Sequence, residues 1–296
     1  MKRSSRGPGR KNVKTPSLSA PEPFFCANDI DAVHEYFSSF QHETDQSRAT
    51  SHELSGRCYI CARDVEFEVN VPADGGPVNW RETLKCPECG LINRWRGCLH
   101  VFEAICNPAS ADQIYLTETL SPVYQNLAGR FPNLIGSEYL PEYDFGTVVP
   151  THGVPVRNED ITQLTFADES LESVLSFDVL EHVPDYRKAL KEFYRTLSDG
   201  GKLILSVPFC FAEKNQVRAV VDDDGNLTHL MEPCYHGDPL SEHGVLSYCD
   251  FGMELLSDMR EAGFEESHLL CYYSEKWGYL HNNVVFVGLK KPLIHS

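Results

Sequence analysis

Two pairs of cysteines have the types and spacing for metal chemistry. Each pair has the form C-x-x-C, and about 24 residues separate one pair from the other. Two such knuckles can bring four thiolates into a tetrahedron around Zn²⁺, which needs no other ligand in a structural site. Free buried cysteines, or one pair that works as a redox couple, are the alternatives. We predict a closed, structural zinc site made of Cys58, Cys61, Cys86 and Cys89.

A second group of reactive side chains follows the apolar run SVLSF at residues 173–177. Glu181 and His182 stand just after this run. The unperturbed pKa of an imidazole suits it to take a proton from an acceptor, so His182 is a candidate catalytic base and Glu181 a candidate substrate contact. The simpler alternative is that the two side chains cap the helix that begins near Pro184.

Residues 210–250 form a segment that is too long for a simple turn, with a strong hairpin signal at Asp224-Gly225. Histidines 229, 236 and 243 recur every seven residues, but nothing else in their spacing matches a set of metal ligands. We therefore predict a lid over the substrate. Its candidate functional residues are His236 as a second base, and Tyr235 and Asp238 as substrate contacts.

Buried strands and a helix must position these groups. Residues 173–177 and 202–207 are short apolar runs bounded by turn residues, which is typical of fully buried parallel strands. Between them, Ala189, Leu190 and Phe193 recur at helical spacing. Two parallel strands joined by a helix form a β-α-β unit, and such units build doubly wound sheets.

The stretch from Glu159 to Phe209 resembles the core of class I S-adenosylmethionine-dependent methyltransferases, in the branch called type 11. The residues that carry the resemblance are DITQLTFADESLESVLSFDVLEHV and ALKEFYRTLSDGGKLILSVPF. The resemblance implies an α/β fold with a doubly wound, seven-stranded, Rossmann-like sheet in the strand order 3-2-1-4-5-7-6. It also implies an enzyme that uses S-adenosylmethionine as methyl donor. We expect a small-molecule or glycan acceptor.

Carboxylates at the ends of successive strands match the positions at which this family binds its cofactor. Glu118 stands where the acid of the family's first motif stands, and Glu138, at the end of the second strand, would accept hydrogen bonds from both ribose hydroxyls. Asp160 would accept one from the adenine amino group, with Ile161 against the ring, and Asp178 follows the fourth strand. The alternative is that these carboxylates belong to solvated turns or helix caps.

Two features of this region differ from a standard member of the family. The family has the pattern D/E-x-G-x-G-x-G after its first strand, and this chain has Glu118-Thr-Leu-Ser-Pro-Val-Tyr. Glycines there let the backbone approach the cofactor, and side chains narrow that approach. A non-catalytic pseudo-methyltransferase, whose loop fills the adenosyl site, is therefore an alternative. The third strand contains Pro155, and we predict it at the edge of the sheet, where proline is tolerated.

Charge and composition limit the partners. The chain has 43 acidic and 26 basic residues, and six of the basic ones lie in the first twenty residues. So acidic a body argues against binding a phosphate backbone. A zinc-ribbon RNA methyltransferase stays open as an alternative, because Arg94-Trp95-Arg96 alternates basic and aromatic side chains as a base-stacking surface would. No apolar run approaches the roughly 18 residues that a membrane span needs.

We predict four segments along the chain. Residues 1–23 form a disordered basic tail, and 24–50 form a short helix and a linker. Residues 51–100 resemble a zinc ribbon, and 105–296 form the methyltransferase-like domain with its insertion at 210–250. Eleven cysteines and the missing apolar core of a signal peptide favour the cytoplasm. The alternative for the Arg- and Ser-rich tail is an organelle transit peptide.

Overall fold

The computed structural model describes residues 20–40, 53–73, 76–238 and 240–291, so the predicted tail up to residue 19 and linker residues 41–50 lie outside it. The described residues form one nine-stranded mixed sheet with helices on both faces. In sheet order the strands are β1 (Phe24–Ala27), β17 (Glu266–Ser274), β18 (Tyr279–Leu289), β10 (Leu197–Ser206), β9 (Leu171–Phe177), β5 (Ile114–Leu116), β6 (Leu134–Glu138), β8 (Val154–Asn158) and β7 (Val148–Thr151). The helices are α1 (Ile30–Ser38), α2 (Trp80–Thr83), α3 (Asn93–Cys106), α4 (Pro122–Ala128), α5 (Tyr186–Thr196) and α6 (Leu255–Glu261).

The centre of the sheet is parallel. Strand β5 pairs in parallel with both β6 and β9, and β9 pairs in parallel with β10, with α5 as the connection between these last two. The outer pairs β10–β18, β17–β18, β1–β17 and β7–β8 are antiparallel. The predicted α/β fold with a doubly wound sheet is confirmed. The sheet is larger than the predicted seven strands because β1 and β7 add one strand at each edge.

Side chains of the central strands alternate between two buried faces. Val174 and Leu203 belong to the apolar cluster on one face, and Leu175 and Ile204 belong to the cluster on the other. All four are fully buried. Burying one such side chain contributes about 1.5–3 kcal/mol, so a strand that is apolar at every position has to be covered on both sides. The apolar runs in the sequence are explained by this double burial.

The strand that contains Pro155 is not at the edge, and this prediction is wrong. Strand β7 pairs with the outer side of β8, and Pro150 of β7 lies opposite Pro155 of β8. On its inner side, β8 pairs with β6 only at Arg157 and Asn158. Proline is tolerated at position 155 because the hydrogen bonds between β6 and β8 do not reach it, so its missing N–H group leaves no bond unmade. This reason differs from the edge position that we predicted.

The N-terminal segment contributes a strand that the sequence did not indicate. Strand β1 pairs with β17, with Phe24 opposite Tyr272. The predicted short helix follows as α1, which begins after Asp29, whose carboxylate accepts a hydrogen bond from the Ala32 N–H at 2.8 Å. The buried face of α1 contains Val33, and it packs on the same face of the sheet as α5.

One helix runs through the predicted boundary between the two modules. Helix α3 starts seven residues after Cys86 and packs on β9, β10 and β18. A side chain at Gly97 would overlap the Tyr272 ring, so glycine allows α3 to lie close to the sheet. Among the described residues, no helix is both long and apolar enough to cross a membrane.

The insertion folds as short antiparallel pairs. The predicted hairpin at Asp224-Gly225 is confirmed, with β12 (Ala219–Val221) paired to β13 (Leu227–His229). A second hairpin pairs β14 (Tyr235–Asp238) with β15 (Ser241–Leu246), and β11 (Gln216–Val217) pairs with β16 (Cys249–Asp250). The Tyr248 N–H donates to the Glu181 carbonyl at 2.7 Å, which ties the insertion to the residues that follow β9.

Candidate functional site

The four predicted cysteine ligands lie together. The Sγ atoms of Cys58 and Cys89 are 3.9 Å apart, and so are those of Cys61 and Cys86. All four sulfur atoms lie within 4.8 Å of one another. Two thiolates, each about 2.3 Å from a tetrahedral zinc ion, are separated by about 3.8 Å. The spacing fits one zinc ion and is far too long for a disulfide, whose sulfur atoms lie about 2 Å apart.

A three-stranded sheet holds this cluster. Its strands are β2 (Glu53–Cys58), β3 (Arg63–Val69) and β4 (Leu84–Lys85). Phe67 and Trp80 fill the core below the cysteines, and Leu280 from β18 of the large domain completes it. Because one apolar cluster draws residues from both modules, the cysteine module is packed onto the domain as a fixed part of it.

The Arg94-Trp95-Arg96 motif is not a surface for stacking bases. Arg96 is fully buried, and its guanidinium donates to the carbonyls of Trp277 and Gly278 at 2.7 and 2.9 Å. It also lies 4.1 Å from the centre of the Phe67 ring. Arg94 is also directed into the protein, towards Glu82 and Asp178, so the structure gives this motif a packing role and no support to the nucleic-acid alternative.

Four carboxylates lie at the carboxyl ends of the parallel strands. Glu138 is the last residue of β6, while Glu118, Asp160 and Asp178 follow β5, β8 and β9 by one or two residues. Carboxyl ends of neighbouring parallel strands open on the same crevice, which is where ligands bind in sheets of this kind. The structure thus places the acids predicted for the cofactor at the same end of four neighbouring strands.

The loop that replaces the glycine-rich pattern contacts Glu138 directly. The N–H groups of Thr119 and Leu120 both donate to Oε1 of Glu138 at 2.8 Å. Across the loop, Gly136 faces the ring of Tyr124, and an added Cβ would lie 2.6 Å from it. Glycine is therefore needed at position 136, because the Tyr124 ring occupies the space that a side chain there would take.

Glu118 is held in a buried position beside other acids. Its Oε1 atom is buried and has no hydrogen-bond partner among the described residues. Burial raises the pKa of Glu118 to about 7, and the charge of Glu138 acts in the same direction, while Arg94 opposes it. A positively charged ligand group at this place would stabilise the ionised form.

Asp178 is bound by two arginines that come from the cysteine module, a contact that the sequence did not indicate. Arg81 Nη2 lies 2.7 Å from Oδ1 of Asp178, and Arg94 Nε lies 3.3 Å from Oδ2. Ser206 on β10 also donates to Oδ1, at 2.8 Å. Burial alone would raise the pKa of Asp178, but the two guanidinium groups outweigh it and hold that pKa well below its usual range.

Asp160 and Ile161 form a short turn after β8. Oδ1 of Asp160 accepts hydrogen bonds from the N–H and the hydroxyl of Thr162, at 2.8 and 2.7 Å. Ile161 is buried against the sheet. This turn is a local Asx motif, which fixes the direction of the Asp160 carboxylate.

The predicted acceptor-side residues meet in a second cluster. Oε1 of Glu181 lies 3.7 Å from Nε2 of His182 and 3.5 Å from Nδ1 of His236. The Glu181 side chain is fully buried. Burial raises the pKa of Glu181 to about 7, and its carboxylate in turn raises the pKa of His236. Tyr235 next to His236 is exposed.

Local structure explains why these groups converge. Glu181 and His182 lie on a 3-10 helix, Leu180–His182, that directly follows β9. His236 reaches them from β14 in the insertion, although 54 positions along the chain separate it from His182. The side chain of Asp238, the remaining predicted substrate contact, lies outside the described part of the structure.

A mixed sheet with a parallel centre, helices on both faces and carboxylates at the strand ends fits the class I methyltransferase fold, and a comparison with known protein families agrees. Residues 132–205 match the type 11 family described as a methyltransferase domain. These residues therefore belong to a methyltransferase domain, and the predicted class is confirmed. A search of curated proteins found no match.

Solved methyltransferase structures resemble the chain at low sequence identity. One is from the complex between the Haloferax volcanii Trm112 methyltransferase activator and a methyltransferase, with 16% identity, a TM-score of 0.43, and 69% of this chain and 92% of that chain covered. Another is the Burkholderia thailandensis 1,6-didemethyltoxoflavin-N1-methyltransferase with bound 1,6-didemethyltoxoflavin and S-adenosylhomocysteine. It has 15% identity and a TM-score of 0.42, and 67% of this chain and 78% of that chain are covered.

Proposed function

We propose that this protein transfers a methyl group from S-adenosylmethionine to a small-molecule or glycan acceptor in the cytoplasm. The observation that carries the proposal is the row of carboxylates at the ends of β5, β6, β8 and β9. Methyl transfer from a sulfonium is an in-line displacement, so the protein mainly has to hold donor and acceptor in line. The row of acids would bind the methyl donor, and the neighbouring histidine cluster would bind the acceptor.

The cofactor would lie across the row of carboxylates. Glu138 would accept from the ribose hydroxyls, Asp160 from the adenine amino group, and Ile161 would pack on the ring. At the methionine end, Glu118 would face the positive charges of the cofactor. Nη1 of Arg94 is buried there without a hydrogen-bond partner among the described residues, and its charge suits the methionine carboxylate.

The acceptor would lie on the side of Glu181, His182 and His236. For a hydroxyl acceptor the cluster must also make removal of the proton favourable, and we assign this role to the two imidazoles. Tyr235 and Asp238 belong to the hairpin that brings His236 to the site, and we assign them to acceptor binding.

The cysteine cluster would hold a structural Zn²⁺ ion. Four thiolates leave no open position for substrate, so the metal would stabilise the module and with it Arg81 and Arg94. These two arginines reach the site from α2 and α3, close to the knuckles. Zinc would thus help indirectly to hold the two arginines in place on the side of the site that binds the cofactor.

Calorimetric titration of S-adenosylmethionine and S-adenosylhomocysteine tests the proposal. Glu138→Gln keeps an oxygen for the Thr119 and Leu120 N–H groups and replaces the second oxygen by a donor. Losing hydrogen bonds to a charged group costs about 2 kcal/mol, so we expect roughly 30-fold weaker binding. Glu261→Gln, an exposed change on α6, should bind as the wild type does. A folded, zinc-loaded wild type that gives no heat would refute the assignment.

A pseudo-methyltransferase is the second candidate, and one observation favours it. The Thr119 and Leu120 N–H groups already use Oε1 of Glu138, which is the group assigned to the ribose. The same titration separates the two candidates, because a pseudoenzyme would bind neither cofactor form.

The RNA methyltransferase alternative has no such support. The groove of about 520 Å³ on the cysteine module contains Arg57 and Lys276, but also Asp64 and Glu66. A mixed-charge surface of this kind does not favour a phosphate backbone.

A further inference from the structure

Three side chains beside the end of β9 have the chemistry of metal ligands. Glu181 offers a carboxylate oxygen, and His182 and His236 each offer an imidazole nitrogen. Two histidines and one carboxylate are a recurrent ligand set for divalent transition metals such as zinc and iron, with positions left open for other ligands. This trio differs from the seven-residue series of histidines, of which only His236 takes part.

The distances between the donor atoms fit a shared ion better than hydrogen bonds. A charged hydrogen bond between imidazole and carboxylate would be about 2.7–2.9 Å long. The two observed separations from Oε1 of Glu181 are 3.5 Å to His236 and 3.7 Å to His182. Two ligand atoms, each about 2.1 Å from a tetrahedral ion, are about 3.4 Å apart. The three donor atoms all lie within 4.8 Å of one another.

Glu181 has no other partner that would explain its burial. Its side chain is fully buried, and neither carboxylate oxygen accepts a hydrogen bond from any described residue. The two imidazoles, at 3.5 and 3.7 Å, compensate the buried carboxylate only in part, and a coordinated cation would compensate it directly. Because Oε1 lies within 3.7 Å of one nitrogen of each imidazole, a cation bound to this oxygen would lie beside both rings.

Neighbouring backbone groups hold the ligands in position. Nδ1 of His182 lies 2.9 Å from the Leu246 carbonyl, which can only accept, so that nitrogen carries the proton and Nε2 is the nitrogen on the side of Glu181. Ligating histidines are commonly oriented by this kind of contact. The Tyr248 N–H fixes the Glu181 carbonyl at 2.7 Å. Both contacts come from the insertion, which also supplies His236.

We propose that Glu181, His182 and His236 bind one divalent transition-metal ion, which coordinates a hydroxyl group of the acceptor. This inference rests on the proposed methyltransferase function and narrows its acceptor to an oxygen compound. Three protein ligands leave at least one position open, and a hydroxyl bound there becomes a much stronger acid.

Each bond and charge in the reaction is accounted for. With both imidazoles as metal ligands and not as bases, the coordinated hydroxyl would lose its proton to water, and its oxygen would bond to the methyl carbon of S-adenosylmethionine. The carbon–sulfur bond breaks with its electron pair on sulfur, which gives S-adenosylhomocysteine and the methyl ether. No oxidant or further reactant is needed.

Cobalt binding tests the site directly. The full chain is loaded with zinc at the four cysteines, freed of weakly bound metal, and titrated with Co²⁺ by calorimetry and visible absorption. We expect one further cobalt ion per chain, with nitrogen and oxygen ligands and no thiolate-to-metal band. Glu181→Gln and His236→Ala should each abolish this binding. His243→Ala, an exposed histidine on the same hairpin, should retain it.

The outcomes separate this inference from the proposed function. Cobalt binding without cofactor binding would support the metal site and refute the methyltransferase proposal. Cofactor binding without cobalt binding in a folded, zinc-loaded chain would overturn the metal site. Equal loss of cobalt from His243→Ala and His236→Ala would overturn it as well, because the trio would then not be the ligand set.

Discussion

Replacing Arg81 by methionine would leave Asp178 buried with only part of its compensation. The Asp178 side chain is 13% exposed and that of Arg81 26% exposed, so solvent screens their 2.7 Å ion pair only weakly. Removing one partner of a buried pair typically costs about 3–5 kcal/mol. Because Arg94 and Ser206 remain in contact with Asp178, we expect about 3 kcal/mol less stability at pH 7, the lower end of that range.

The loss should depend on pH. The folded-state pKa of Asp178 lies below its ordinary value of 3.8, so the ion pair contributes stability above pH 3.8 and loses it as the pH falls through the folded pKa. In Arg81→Met the share of that contribution that comes from Arg81 is lost at neutral pH. The difference in unfolding free energy between the two proteins should therefore shrink as the pH falls below 4.

Urea denaturation in a double-mutant cycle measures the coupling. The four proteins are wild type, Arg81→Met, Asp178→Asn and the double variant, each followed by fluorescence and circular dichroism to confirm one transition. Arg63→Met is the matched control, since its pair with Glu88 is exposed and contributes at most about 1 kcal/mol. A coupling energy near zero between Arg81 and Asp178 would refute the reasoning.

Three further changes probe the surrounding structure. Glu118→Gln should raise the unfolding free energy at pH 8 by up to about 3 kcal/mol and leave it unchanged at pH 4, because burial raises that pKa from 4.5 to about 7 and ionisation then opposes folding. Cys86→Ser should lose one zinc ion per chain, measured by colorimetric metal release, since a structural site needs all four thiolates. Gly136→Ala should lower stability by about 1–3 kcal/mol in thermal unfolding, because its Cβ would press on the Tyr124 ring.

Each of these changes has a neighbour that should behave differently. Glu142→Gln is exposed and should show no pH-dependent gain. Cys106→Ser removes a cysteine outside the cluster and should keep the zinc ion. Gly129→Ala should be tolerated, since its Cβ would meet no atom closer than 3.8 Å. A stability gain for Glu118→Gln that is equal at pH 4 and pH 8 would contradict the assigned cause.

Local sequence patterns predicted the centre of the fold. The apolar runs became β9 and β10, and the helical stripe between them became α5, because fully buried strands and a one-sided helix each leave a short-range pattern. The cysteine knuckles were equally clear, since four ligands need only local spacing. These features required no knowledge of distant contacts.

Contacts between distant residues could not be predicted in the same way. The four residues of β1 contain no alternation long enough to indicate a strand, and their partner lies near the other end of the chain. The pairing of Arg81 with Asp178 depends on how the cysteine module packs on the large domain, and no residue pattern near either residue indicates it. The strand β7 outside β8 was not predicted, because Pro155 indicates from the sequence alone that its own strand lies at the edge of the sheet. The short pairing between β6 and β8 explains this proline instead.

The long-range pairing of β1 has a consequence for biosynthesis. Cys26 on β1 lies beside His268, which follows it by 242 residues. A ribosome adds about 5–20 residues per second, so about 10–50 s pass before the partner of β1 exists. During that interval the apolar FFCA segment has no sheet to join, and unpaired apolar strands promote aggregation. The growing chain therefore exposes its earliest described strand to other chains until translation has passed β17.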